Sequence, residues 1–228
     1  MNPFLRLGKQ IKDIVKGKDL WQPVQVKRKC VWYGDVHAGF YVYPDFKYGQ
    51  VMLSFGVGEN TSFDEQVHQA HGLQVHLFDP TPRSVEFIKE KNLPAAFHFH
   101  AVAIWNREET LSFRLPENPA HVSLSVVEKK QHNGIIQLPA KRFATICQDL
   151  GLTEVALLKL DIEGAEYEVI PDILASGIRI KQIAIEFHHR FDEVAVSKTK
   201  AIIKQLNDHG FYICAISESR EEYTFVRV

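Results

Sequence analysis

The chain has 228 residues, with 27 Lys+Arg against 28 Asp+Glu and a formal net charge of −1, a length that suits one compact core. So even a balance supplies no global field for nucleic acid, and any charged partner must be met locally. The three widely spaced cysteines, Cys30, Cys147 and Cys214, fit neither a disulfide framework nor a C-x-x-C metal knuckle and read as reduced core thiols of a cytoplasmic protein.

Residues 4–15 place Phe4, Leu7, Ile11, Ile14 and Val15 at helical spacing, with Arg6, Lys9, Lys12, Lys16 and Lys18 among or just after them. This predicts a basic amphipathic helix. Residues 4–18 then have two possible uses: peripheral contact with an anionic membrane, or packing on the chain's own domain or a partner subunit, with the oligomeric state left open. No apolar run reaches the ~18–20 residues that cross a bilayer, and no signal-peptide block is present, so a soluble chain without a transmembrane segment is expected. A loop-rich stretch follows to residue 50, with the KRK run at 27–29 on a solvated face and the aromatics of VWYGDVHAGFYVYP in the core or a lid.

From residue 51 strand alternates with helix. VMLSF (51–55), QVHLF (74–78) and FHFHAVAI (97–104) read as strands, separated by helices over 62–71, closed by Gly72, and 83–92. An insertion at about 109–142 breaks the rhythm with an extra strand (109–115), a Pro-rich loop (116–125) and a short edge segment (134–142). The alternation resumes with helix 143–151, strand 154–161, a helical segment 165–177 that Pro171 kinks or restarts, strand 181–187 and helix 194–209. FYICAIS (211–217) and EYTFVRV (222–228) close the chain as a hairpin. The pattern predicts an α/β fold with a largely parallel sheet, helices on both faces and an antiparallel last strand. Residues 1–50 form a leading helix and segment, and 51–228 the domain itself.

In such sheets ligands gather at the carboxyl ends of the strands. After the first strand, SFGVGENTSF (54–63) offers Gly56 and Gly58 for close backbone approach and a helix start with free N–H groups. Asp79 in HLFDPTP closes the second strand, roughly twenty residues on, where such folds place an acid for ribose hydroxyls. Together these point to a nucleoside-containing cofactor. A dinucleotide fingerprint would want a third glycine where Thr61 stands, which disfavours a nicotinamide-dependent oxidoreductase. S-adenosylmethionine, with a ribose and a carboxylate but no phosphates, fits better.

GVGENTSF, LFDPTP, HAVA, LLKLDIEGAEYEVI and IAIEFHH together resemble the FkbM-type S-adenosylmethionine-dependent methyltransferases of class I, over roughly residues 50–190. The resemblance implies a Rossmann-like three-layer sandwich with a seven-stranded, mostly parallel sheet whose last strand is antiparallel. It also implies O-methylation of a hydroxyl on a sugar, glycan or small metabolite. Carried over residue by residue, Phe55, Gly56 and Gly58 face the cofactor, Glu59 and Asn60 begin the helix beneath its methionine end, Asp79 holds the ribose, and Ala101 and Val102 lie near the adenine. Glu59 stands where alanine is common in that family. A cofactor-binding protein of this fold that has lost the reaction remains the non-enzymatic alternative.

A hydroxyl is a poor nucleophile at neutral pH and needs a positioned base or a metal. Asp161 and Glu163 at the fourth strand's end, with Glu186, His188 and His189 at the fifth, surround the place where it would sit. In the favoured reading a carboxylate, Asp161 first, anchors cofactor or acceptor while His188 or His189 removes the proton. In the second, Asp161, Glu163, Glu186 and His188 hold a divalent ion. In the third, Glu163 only serves the following helix start. Lys159 shares a strand face with Asp161, free to pair with it or to reach solvent, and Glu166 and Glu168 read as surface or capping charges.

Overall fold

The chain's alternating apolar runs and amphipathic stretches assemble around one twisted sheet. The computed structural model describes residues 8, 12–114, 125–126, 135–191 and 195–228. Of the N-terminal helix, residues 12–15 are helical, while 1–7 and 9–11 lie outside the described residues, as does most of the expected loop at 116–125. No described helix is long and apolar enough to cross a membrane.

A hairpin of β1 (Val31–Tyr33) and β2 (Phe40–Val42) precedes the domain. Three-residue strands carry too little periodicity to be read from sequence, so this pairing replaces the loop expected there. There follow β3 (Val51–Phe55), α1 (Ser62–His71), β4 (Gln74–Phe78), α2 (Pro82–Glu90) and β5 (Phe97–His100). β6 (Ala103–Ile104) comes next, and the insertion holds β7 (Glu109–Arg114), β8 (Ser125–Val126) and β9 (Ile135–Lys141). The second half is α3 (Phe143–Asp149), β10 (Glu154–Leu160), α4 (Glu166–Ala175), β11 (Arg179–Glu186), α5 (Val196–Asp208), β12 (Phe211–Ile216) and β13 (Glu222–Arg227).

The main sheet has seven strands in the order β12-β13-β11-β10-β3-β4-β5. All its pairings are parallel except those of β13, which runs antiparallel to both β11 and β12. The fold is Rossmann-like. On one face Phe143, Ile146, Tyr167, Ile170, Ile203 and Leu206 from α3, α4 and α5 pack on Leu53, Phe55, Leu158 and Leu160. On the other, Phe63 and Val67 of α1 and Phe40 and Val42 of the hairpin cover Met52, Val75, Leu77 and Leu157. Each such side chain contributes roughly 1.5–3 kcal/mol on burial.

Three expectations are corrected. The strand at 97–104 is two strands in different sheets: Val102 N–H turns back to the His100 carbonyl at 2.9 Å, and β6 leaves to pair with β9. The edge segment at 134–142 is an interior strand, since β9 lies between β6 and β7. Its Pro139 pairs with Thr110, while β6 reaches only Ala140 and Lys141. The missing N–H therefore falls where one side has no ladder to serve. Finally, of the two outcomes expected at Pro171 the restart does not occur, since α4 runs through it as one helix and forgoes the N–H that would have reached back one turn.

Candidate active site

The strand order reverses between β3 and β10, the switch point at which open α/β sheets bind ligands. There the Asp161 N–H donates to the Phe55 carbonyl at 3.1 Å, and the Gly56 N–H to the Phe78 carbonyl at 3.0 Å. Gly56 has φ +83, and a β-carbon on it would stand 1.6 Å from the Asp161 carbonyl oxygen. No other residue type fits there. The Asp79 carboxylate fastens the glycine loop, one oxygen accepting from the N–H groups of Val57 at 3.0 Å and Gly58 at 2.9 Å and the other from Thr81 N–H at 2.9 Å.

These elements bound a cavity of about 230 Å³. Phe55, Gly56, Gly58, Glu59, Asn60, Asp79 and Asp161 all line it, together with Ala38, Phe78, Ile104, Leu111 and Glu163. The stacked rings of Phe55 and Phe78, with centroids 4.5 Å apart, form an aromatic shelf. Glu59 is tied at the rim to Arg83 at 2.7 Å, and Asn60 donates to Asp35 at 2.7 Å. Ala101 and Val102 do not line the cavity, because the turn after β5 carries them past it and Ala103 and Ile104 stand there instead. Ala38 and Leu111 were not foreseen, coming from a hairpin turn and an insertion strand that no site motif marks.

Beside the cavity, and sharing Asp161 with it, is a cluster of buried ionisable groups. Lys159, buried on the Asp161 face, donates to the Gly56 carbonyl and pairs with Asp161 Oδ2 at 3.2 Å. Burial opposes its charge, but Asp161, Asp64 and Glu186 outweigh that and raise its pKa. Asp64 of α1 is itself buried, and burial pushes it up to about 6. His188 Nδ1 meets Glu166 Oε1 at 3.0 Å, while Nε2 faces Glu163 at 3.5 Å and Asp161 at 3.9 Å. Burial disfavours the imidazolium, yet the Glu166 hydrogen bond and the charges of Glu166, Glu163 and Asp161 push it up to about 10. Glu186 is pushed up to about 8, chiefly by burial and then by Asp161.

Two placements differ from expectation. Glu166 is fully buried rather than on the surface; its Oε1 accepts from Ile162 N–H at 2.9 Å and Gly164 N–H at 3.4 Å as well as meeting His188. It braces the loop in which Glu163 adopts φ +54, a left-handed conformation uncommon for a residue with a side chain. His189 points elsewhere, its Nε2 3.0 Å from Asp19 in the leading segment and its side chain wholly buried. Burial lowers its pKa. A His-His pair beyond a strand end sends its two rings different ways, and only His188 joins the cluster.

The sequence profile of the methyltransferase FkbM domain matches residues 13–213. The chain belongs to the FkbM methyltransferase family. Among curated relatives of this FkbM chain, a probable methyltransferase-like protein 24 from Homo sapiens is 24% identical over 148 residues, covering 64% of this chain and 34% of that protein. Its Rattus norvegicus counterpart is 23% identical over 154 residues, covering 67% and 36%. The FkbM chain thus spans about a third of the length of these relatives. Among solved structures, fibrillarin from Aeropyrum pernix, crystallised with natively bound S-adenosyl-L-methionine, has a TM-score of 0.48 at 11% identity over 93% of this chain and 86% of its own.

Proposed function

We propose that this chain is an S-adenosylmethionine-dependent methyltransferase acting on a hydroxyl oxygen of a sugar, glycan or other small metabolite. The observation that carries this reading is the charge of the cavity: Glu59, Asp79, Asp161 and Glu163 stand in its wall, and no lysine or arginine does among the described residues. Cations just outside the wall balance three of these acids, Arg83 at Glu59, Lys159 at Asp161 and His188 at Glu163, but the carboxylate oxygens in the wall still suit a cation better than a pyrophosphate. The loop N–H groups of Val57 and Gly58, which an anion would need, are already taken by Asp79. Both facts weigh against a nicotinamide dinucleotide.

Bound there, S-adenosylmethionine supplies a methyl group on a cationic sulfonium. The Phe55–Phe78 shelf, Ile104 and Leu111 offer the apolar wall for its adenine, Asp79 the carboxylate at the ribose, and Asp161 and Glu163 the negative charge at the methionine end. Holding acceptor and methyl in line is worth roughly 7–11 kcal/mol of barrier. Glu186, pushed up to about 8, titrates near the operating pH and accepts the hydroxyl proton on a carboxylate oxygen. His188, whose proton is held by the acids around it, serves as a fixed positive charge rather than as the base.

A second reading has its own observation: ligand atoms of Asp161, Glu186 and His188 lie within 4.8 Å of one another. The Glu166 bond to Nδ1 leaves Nε2 to face a metal. These residues would hold a divalent cation that lowers the pKa of the acceptor hydroxyl.

Thermal-shift titration separates the cofactors, since a ligand that binds the native state raises apparent stability. Stabilisation by S-adenosylmethionine and S-adenosylhomocysteine but not by NAD(H) is expected, and stabilisation by NAD(H) alone would overturn the proposal. Turnover of pooled glycans and metabolites with isotopically labelled methyl should place the label on oxygen and survive chelation. Loss of activity with a chelator, restored by Mg²⁺ or Mn²⁺, would favour the metal reading.

A further inference from the structure

Two cysteines far apart in sequence, Cys30 just before β1 and Cys214 on the edge strand β12, lie with their sulfurs 3.5 Å apart. The approach follows from the local architecture. The N–H groups of Gln25 and Val26 donate to the Ile213 carbonyl at 2.8 and 3.0 Å, and the Ile213 N–H donates to Gln25 Oε1 at 2.8 Å. The leading segment is thereby fixed against β12. Cys214 sits where the register between β12 and β13 shifts, between Ile213 and Ala215. Such an irregularity re-aims the side chain it carries.

The two thiols differ as a reacting pair requires. Cys30 is half-buried, whereas Cys214 is buried. Cys147, the remaining cysteine, is fully buried, and burial pushes its thiol up to about 12, which leaves it inert. The Cys214 contact, aided by the Arg28 guanidinium, outweighs burial and lowers the Cys30 thiol, so Cys30 ionises first.

We propose that Cys30 and Cys214 form a reversible disulfide under hydroperoxide, a redox modification site that staples the leading segment to the sheet. The Cys30 thiolate attacks a peroxide oxygen; the S–O bond forms, the O–O bond breaks, and the departing hydroxide leaves as water after taking a proton. Cys214, giving up its own proton, then attacks the Cys30 sulfur; the S–S bond forms, the S–O bond breaks, and a second water leaves. Two thiols lose two electrons in all, and hydrogen peroxide is reduced to two waters. A thiol reductant reverses the bond by exchange.

The staple matters because of what the segment carries. Downstream of Cys30, Gly34 N–H donates to Gln66 at 2.8 Å, Asp35 N–H to Ser62 at 3.1 Å, and Ala38 stands in the cavity wall. Fixing residue 30 shortens the free chain that holds this wall over the site. The inference stands independently of the proposed reaction.

Hydrogen peroxide in small molar excess, followed by non-reducing digestion and mass spectrometry of the full chain, tests it. Expected are a linked peptide pair containing Cys30 and Cys214, lighter by two hydrogens, a Tm rise of roughly 5–10 °C, and slower amide exchange over residues 25–42. Dithiothreitol should reverse all three. Cys30→Ser should abolish them at a half-buried position that tolerates the change, and Cys147→Ser should leave the linked pair intact. Cys30 found only as sulfinic acid, a Cys30–Cys30 link between two molecules, or a linked pair with no change in Tm or exchange would each overturn the proposal.

Discussion

His188 carries its own pH dependence into the stability of the chain. Its value in the fold, about 10, lies above the ordinary 6.5, so its contribution is complete below about 6.5 and is lost as pH rises through about 10. Urea midpoints measured across that window should fall with pH in the native chain and fall less steeply in His188→Gln, where Glu186, also raised, still contributes a slope of the same sign; an unchanged slope would show that the imidazolium is not held as described. Glu166, with no exposed surface, is the acid that holds it. Glu166→Ala leaves a buried cation short of its partner and should cost about 3–5 kcal/mol, read from the same melts. In the proposed reaction Glu186 is the base. With its carboxyl pushed up to about 8, kcat/KM should climb with pH to a plateau above that value, and Glu186→Gln should lower kcat by ~10²–10⁴ and abolish the limb. Unimpaired turnover in that variant would remove Glu186 from the mechanism.

The glycine loop between β3 and α1 separates two reasons for a glycine. Gly56 faces both a left-handed φ and the Asp161 carbonyl, whereas Gly58, at φ +56, has nothing within 4 Å of where a β-carbon would stand. Gly58→Ala should therefore cost only about 1–2 kcal/mol for its backbone conformation. Gly56→Ala has to push β3 from β10 and should abolish S-adenosylmethionine binding along with much of the stability. Calorimetric Tm and cofactor titration of both variants check this, and equal losses would mean that the carbonyl contact is not the constraint. From sequence, G-x-G makes the two glycines look equivalent. Only the approach of the next strand's backbone distinguishes them.

For the whole molecule, the leading segment supplies part of the cavity wall through Ala38. Asp19 is buried and accepts from Leu20 N–H at 2.7 Å and Arg190 at 2.8 Å, with His189 at 3.0 Å. It thereby binds the leading segment to the loop after β11. Asp19→Ala removes these hydrogen bonds but leaves Arg190 paired with Glu221, so it should cost about 1–3 kcal/mol and loosen residues 19–42 in amide exchange. Asp35→Ala, on an exposed turn, should change stability by under about 1 kcal/mol. Equal effects would show that the Asp19 cluster does not anchor the segment.

Sequence by itself determined the alternating elements, the sheet's antiparallel last strand and the loops that bring Gly56, Asp79 and Asp161 together, because periodicity and strand-end chemistry are local signals. Tertiary structure alone decided what depends on contacts between distant residues. It sent His189 to Asp19 rather than to the site, buried Glu166 beneath His188, split the run 97–104 between two sheets, and brought Cys30 to Cys214. Hydrophobic spacing records which face of an element is covered, but not by what. A buried charge is legible only once its partner, far along the chain, is in place.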